Sequence, residues 1–193
     1  MTRTILTTIA VFLSLHILSA KEQYVYRQIS QKEGLTSTVN CICKEKDGDV
    51  WIGTPTGLYR FNGYSLTHYN GALQDSRRVF HVSMDESGDL WVLTEKHILK
   101  SPAGSDRFIR ISETTDPYFS LLHDKDCIWI GSLKNIYRYS DNRLELLCTI
   151  DSPFDCRSMA KIDDHTLLCC SNNGKFLIDT RNGQISDAPY AII

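Results

Sequence analysis

Seven cysteines and six histidines are the residues of this sequence best suited to hold a metal ion or to react. Zinc sites usually pair their cysteines as Cys-x-x-Cys, and no such pair occurs. Cys41 and Cys43 alternate in an apolar run, which puts both thiols on one face of a strand with no second pair nearby. The histidines do not fall at i, i+4 spacing with a shared glutamate. The sequence therefore predicts no metal site and no cofactor.

Most cysteines lie in apolar, strand-like runs, where burial as small hydrophobic residues accounts for them. Because their number is odd, at least one stays unpaired even in an oxidising compartment. A loop disulfide between Cys148 and Cys156 is left open as an alternative, on their spacing alone.

Paired aspartates occur in two turns, Asp47 with Asp49 and Asp124 with Asp126. They look like fragments of calcium-binding loops, but each lacks the spaced third acceptor and the bidentate glutamate that such loops need. The chemistry of a β-hairpin turn is enough to account for them.

Hydrolase motifs are equally incomplete. The segment from Ser83 to Trp91 loosely resembles the Asp-box turn of sialidases, which also need three arginines, a tyrosine nucleophile and paired acids. Tyr59 and Arg60 recur as Tyr137 and Arg138, so they belong to a repeat, and no G-x-S-x-G elbow is present. The sequence predicts no catalytic residue and no enzyme activity.

The repeat itself predicts the fold. Trp51, Trp91 and Trp129 lie 40 and 38 residues apart, each in a similar phrase of polar turn and apolar run, and a degenerate fourth copy centres on Leu168. Each unit of about 40 residues reads as four short strands with Gly or Asn turns, and no sustained helical period is seen. This pattern is typical of a β-propeller blade. We predict an all-β propeller with four four-stranded blades, at about 35–73, 74–113, 114–150 and 151–193.

Five residues recur at blade positions that we expect to be structural. The tryptophans have aliphatic neighbours, so packing between blades is favoured over ligand stacking. The five are Trp51, Gly53, Trp91, Trp129 and Gly131.

The first 20 residues are predicted to be a cleaved secretory signal, with Arg3 before an apolar run and small residues at its end. The alternative is a membrane anchor, but the apolar run is shorter than the ~20 residues that a spanning helix needs. The whole chain carries a net charge of −2, so it has no basic excess for nucleic-acid binding.

Two runs carry a family resemblance: 33–40, EGLTSTVN, and 47–63, DGDVWIGTPTGLYRFNG. They resemble the blade phrase of the two-component regulator propeller family, strongly in the first unit, clearly in the next two and weakly in the fourth. The resemblance implies the periplasmic sensor of a hybrid histidine kinase of Bacteroidetes, anchored in the inner membrane, with a glycan or oligosaccharide ligand and a possible homodimeric parent. It also implies that residues 22–30 form the ring-closing strand and that further blades complete a ring of about seven.

Residues 1–193 lack the family's kinase, receiver and DNA-binding motifs, so we expect ligand sensing without catalysis. A stand-alone exported propeller that acts as a protein-interaction scaffold is the main alternative, and a fragment of a carbohydrate-active enzyme is a weaker one. The connections between blades, at 74–78 and 114–118, carry the candidate ligand contacts Arg77, Arg78 and Tyr118. The competing interpretation is that these are ordinary variable loops.

Overall fold

The structure is a computed structural model that describes residues 26, 28–73, 75–113, 116–151 and 154–188. Its contacts divide the chain into two units, Met1–Ser30 and Gln31–Ile193. The predicted signal peptide at 1–20 lies outside the described residues, as does most of the predicted closing strand at 22–30. Both stay predictions, and the account below concerns the second unit.

Sixteen strands of this unit form four antiparallel sheets, each with its strands in chain order. The first two sheets contain β1 Cys41–Lys44, β2 Val50–Thr54, β3 Gly57–Phe61, β4 Leu66–His68, β5 Val79–Met84, β6 Leu90–Thr94, β7 His97–Ser101 and β8 Ile109–Glu113. The other two contain β9 Tyr118–His123, β10 Ile128–Ser132, β11 Asn135–Ser140, β12 Arg143–Thr149, β13 Ser158–Asp163, β14 Thr166–Ser171, β15 Gly174–Asp179 and β16 Ile185–Asp187. Two short 3-10 helices cover Gln31–Glu33 and Asn70–Leu73.

The first strands of successive sheets contact one another, β1 with β5, β5 with β9 and β9 with β13. These four strands are therefore the innermost strands of blades arranged in chain order. Within the described residues the sheets do not close into a ring. The predicted all-β fold with four four-stranded blades is confirmed as part of a propeller.

Three apolar clusters fill the interfaces between neighbouring blades, and each contains one tryptophan. Trp51 packs with Val79 and Val82 of the second blade. Trp91 packs with Tyr118 of the third. Trp129 packs with Phe154 and other residues leading into the fourth blade. Burial of these large rings is the main favourable term holding one blade on the next.

Each tryptophan N–H donates to an acidic residue of its own first hairpin. The acceptors are Glu45 for Trp51, Asp85 for Trp91 at 2.9 Å, and Asp124 for Trp129 at 3.3 Å. Basic side chains lie over the first two rings, Arg60 5.4 Å and Lys100 5.0 Å from the ring centroids. The acidic turns thus satisfy a buried donor, which gives their carboxylates a structural use.

Glycines at equivalent positions of β2 and β10 let the next blade approach closely. A Cβ on Gly53 would lie 2.6 Å from Val79 Cγ1, and one on Gly131 would lie 2.7 Å from Cys156 Cβ. Real Cβ atoms do not come this close to rigid neighbours. The repeated Gly after the Trp-Ile pair is therefore required by packing between blades.

All seven cysteines are free in the structure, so the Cys148–Cys156 disulfide is not present. Cys156 and Cys169 are fully buried in the core between the third and fourth blades. Burial raises the pKa of the Cys41 thiol to about 12 and that of Cys148 to about 11. These thiols behave as small core residues rather than as nucleophiles. In the part of the chain that is described, no helix has the length and apolarity needed to cross a membrane.

Candidate functional site

Two phenylalanines occupy β-bulges at the start of neighbouring innermost strands. In the second blade Val79 pairs with Thr94 and His81 with Leu93, so Phe80 has no partner in the ladder. In the third blade Tyr118 pairs with Ser132 and Ser120 with Gly131, so Phe119 is the extra residue. A bulge turns a side chain away from the regular alternation of a strand. Both rings are thereby turned toward the same end of the innermost strands.

The same position recurs once in every blade. In the first blade this residue immediately precedes the one that pairs with Gly53 across the first two strands. In each other blade it immediately precedes the one that pairs with the residue equivalent to Gly53. Successive members lie 40, 39 and 38 residues apart, which is the period of the tryptophans. The four are Asn40, Phe80, Phe119 and Arg157.

These four residues line one groove of about 550 Å³ together with Pro55, Arg78 and Pro117. Pro55 lies between β2 and β3, and Pro117 immediately precedes β9. The groove is thus built from the starts of the innermost strands and the connections beside them. Ligand sites of many folds are placed on such loops, held by a rigid scaffold.

Side chains in the groove form a row in which each member contacts the next. The Arg78 guanidinium carbon lies 5.9 Å from the Phe80 ring centroid. The rings of Phe80 and Phe119 are 4.8 Å apart at 66°. The Arg157 guanidinium carbon lies 4.6 Å from the Phe119 centroid. We call Arg78, Phe80, Phe119 and Arg157 the aromatic–arginine row.

Neighbouring groups hold both ends of the groove in place. Arg157 donates from Nε and Nη2 to Asp155 Oδ2 at 2.6 and 2.5 Å. Asn40 donates from Nδ2 to the carbonyl oxygen of Val79 at 2.7 Å, which ties the first blade to the second. The lining therefore presents guanidinium and amide groups and aromatic faces in a fixed arrangement, groups that bind a ligand rather than transfer protons.

The three predicted ligand residues have different positions. Arg78 lines the groove, whereas Arg77 is exposed and is not among the residues that line it. Tyr118 is 1% exposed, with its hydroxyl 3.3 Å from Ser112 Oγ. Because Phe119 occupies the bulge, Tyr118 turns into the core between blades. The groove is therefore lined by Phe119 and not by the predicted Tyr118. Phe119 lies at the position equivalent to Asn40 in the repeat of about 40 residues. Comparison of equivalent positions is the sequence signal that would have identified it.

Two histidines on the innermost strands carry no charge near neutral pH. Burial, with a smaller contribution from His123, lowers the pKa of His81 to about 4. Burial also lowers the pKa of His123, whose Nε2 lies 3.0 Å from Ser83 Oγ. Neither histidine lines the groove, whose positive charge comes from Arg78 and Arg157.

Two other clefts lie at the opposite, hairpin end of the blades. One of about 380 Å³ includes Arg60, which is already paired with Glu45 at 3.1 Å and Asp49 at 2.8 Å. The other, of about 530 Å³, is acidic. Across the described ranges, no three His, Cys, Asp or Glu side chains are grouped so that they could hold a metal ion. The groove with the aromatic–arginine row is the candidate site.

Residues 33–56 match the family model of the two component regulator propeller, which confirms the resemblance carried by the blade phrase. No curated protein matches the sequence.

Solved structures similar to this chain include the extracellular domains of two hybrid two-component systems of B. thetaiotaomicron. The first is 16% identical with a TM-score of 0.71, and the match covers 88% of this chain and 24% of that one. The second is 14% identical with a TM-score of 0.71, covering 87% and 27%. The chain spans about a quarter of the length of these domains.

An enzyme shares the same fold. Virginiamycin B lyase from Staphylococcus aureus, in a catalytically inactive form with quinupristin, is 16% identical with a TM-score of 0.66, and the match covers 91% of this chain and 62% of the lyase. At these identities the likenesses establish the propeller fold, and function has to be argued from the site.

Proposed function

We propose that these blades belong to the ligand-sensing propeller of a hybrid two-component system, and that the groove binds a glycan-derived ligand. The observation that carries the proposal is the aromatic–arginine row, in which two rings and two guanidinium groups from three blades meet in one groove. The family match at residues 33–56 supports a place in such a system.

The row has the chemistry that sugars require. The C–H faces of a pyranose ring pack on aromatic rings, and the groove is lined by Phe80, which is half-buried, and by the edge of Phe119, which is 9% exposed. Guanidinium N–H groups donate to ring hydroxyl and acidic groups at the rim. Because the four equivalent positions come from four different blades, a bound oligosaccharide would bridge blades and couple their relative positions to occupancy.

The rest of the proposal concerns the setting of the site. The chain is exported to the periplasm, the parent is anchored in the inner membrane, and further blades and a second parent chain are its partners. This part of the protein senses without catalysis, and phosphoryl transfer belongs to other domains. It makes no contact with nucleic acid. The likeness to extracellular domains of two-component systems supports this setting.

Replacing Phe119 with alanine tests the site directly. We expect oligosaccharide affinity to fall about five- to twelvefold, since a stacking contact worth ~1–1.5 kcal/mol is lost. Isothermal titration calorimetry against a panel of neutral and acidic oligosaccharides measures the change. Tyr64→Ala, which removes an 89% exposed ring elsewhere on the first blade, is the control for loss of a ring outside the groove. Because Phe119 is 9% exposed, circular dichroism must show that Phe119→Ala stays folded at the temperature of the titration.

The proposal fails if no oligosaccharide of the panel binds, or if Phe119→Ala and Tyr64→Ala bind equally well. Chromatography of the ligand after long incubation checks the absence of catalysis. Cleaved or rearranged sugar that depends on the protein would show an enzyme rather than a sensor.

A further inference from the structure

We infer that the ligand of the groove is acidic, a saccharide bearing carboxylate or sulfate groups, and that Arg78 is the residue that selects it. The inference rests on the proposed function and adds a substrate class to it. The observation behind it is the distribution of charge along the aromatic–arginine row.

Arg78 is a cation for which the described part of the chain supplies no counter-ion. Its side chain is exposed at the groove, and no acidic side chain among the described residues pairs with it. Its backbone carbonyl accepts from the Glu95 N–H at 3.3 Å, while the Glu95 side chain turns to the Arg77 N–H at 3.5 Å. The guanidinium carbon lies over the Phe80 ring, 5.9 Å from its centroid.

Contact with a ring leaves the donors of a guanidinium available. The N–H groups lie in the plane of the guanidinium, so a cation over an aromatic ring can still present two parallel donors to one carboxylate. Phe80 therefore holds Arg78 at the groove without consuming its hydrogen bonds. A neutral sugar would leave this charge uncompensated, whereas a uronate or sulfate would pair with it.

At the other end of the row, the charge of Arg157 is balanced by Asp155. Asp155 takes Nε and Nη2, and Nη1 stays outside this ion pair. Two arginines and one aspartate give this part of the surface a charge of about +1, in a chain whose net charge is −2. The groove is therefore locally positive although the whole protein carries a net negative charge. A local positive charge favours an anionic ligand in the groove.

The test compares matched ligands on matched variants of the chain. The ligands are oligogalacturonides and heparin-derived fragments, each beside its methyl-esterified or desulfated, carboxyl-reduced counterpart. The variants are Arg78→Gln, its neighbour Arg77→Gln as an equal charge change outside the groove, and Asp155→Asn, which releases Arg157. Calorimetry at 50 and 200 mM salt gives the affinity and its salt dependence.

We expect at least one acidic saccharide to bind tenfold or more tightly than its neutralised counterpart. Arg78→Gln should weaken that binding at least tenfold and flatten its salt dependence, Arg77→Gln should leave it within twofold, and Asp155→Asn should tighten it. Neutralised sugars that bind as tightly as acidic ones would overturn the inference and leave the proposed function standing. Equal losses in Arg77→Gln and Arg78→Gln would overturn it as well, and binding of no sugar at all would overturn both.

Discussion

Replacing Trp91 with alanine is expected to destabilise the protein by about 3–5 kcal/mol, the cost typical of removing a large aromatic side chain from a core. Trp91 is 1% exposed and lies between the second and third blades, with Tyr118, Leu121 and Ile130 in the same cluster. Its ring also contacts Tyr139 at 5.2 Å between centroids. The cavity left by alanine would be enclosed by two blades that pack through this ring, so it cannot collapse without moving one of them.

Urea unfolding followed by circular dichroism measures this loss. Trp91→Phe is the matched variant, because it keeps one six-membered aromatic ring and loses the five-membered ring with the N–H that donates to Asp85 at 2.9 Å. Its expected cost is smaller, about 1–2 kcal/mol. An alanine variant within 1 kcal/mol of the parent protein would show that blade packing does not depend on this residue.

Gly131→Ala is expected to cost about 1–3 kcal/mol, although it adds a single methyl group. That methyl carbon would lie 2.7 Å from both Cβ and Sγ of Cys156 and 2.8 Å from Ser120 Oγ. Cys156 cannot retreat easily, because its backbone N–H donates to Ser132 at 3.2 Å and its carbonyl accepts from Ser120 at 2.7 Å. Relief therefore requires the third and fourth blades to separate.

Gly71→Ala is the control for this substitution, since a Cβ at that exposed position meets nothing within 4 Å. It should change stability by no more than about 1 kcal/mol in either direction. Thermal unfolding by calorimetry compares the two variants. Equal midpoints for Gly131→Ala and Gly71→Ala would contradict the close approach of the blades at Gly131.

The repeat made the fold predictable, because a period of about 40 residues constrains four units at once. Trp51, Trp91 and Trp129 recur with aliphatic neighbours on both sides, and that pattern requires a surface buried on two faces. The acidic residue that accepts each tryptophan N–H is harder to predict from the sequence. In the first blade it is Glu45, which precedes the paired aspartates of the turn.

The site was predicted only to the level of a connection between blades. The sequence offers Arg77 and Arg78 as candidates in the first connection and Tyr118 in the second, whereas the β-bulges place Phe80 and Phe119 on the groove. A shift of one residue in a strand exchanges its two faces, so Phe119 lines the groove with 9% of its surface exposed, whereas the adjacent Tyr118 packs between blades and is 1% exposed. Bulges leave no reliable mark in the composition of a single strand, whereas comparison of equivalent positions across blades would have found Phe80 and Phe119 together.

The central claim, that the aromatic–arginine row binds the ligand, is tested most directly by a crystal structure of the protein with an acidic oligosaccharide that it binds in solution. The account predicts sugar density against the rings of Phe80 and Phe119, with a carboxylate or sulfate group within hydrogen-bonding distance of the Arg78 guanidinium. Density in the cleft beside Arg60 at the hairpin end of the blades, with the row unoccupied, would contradict it.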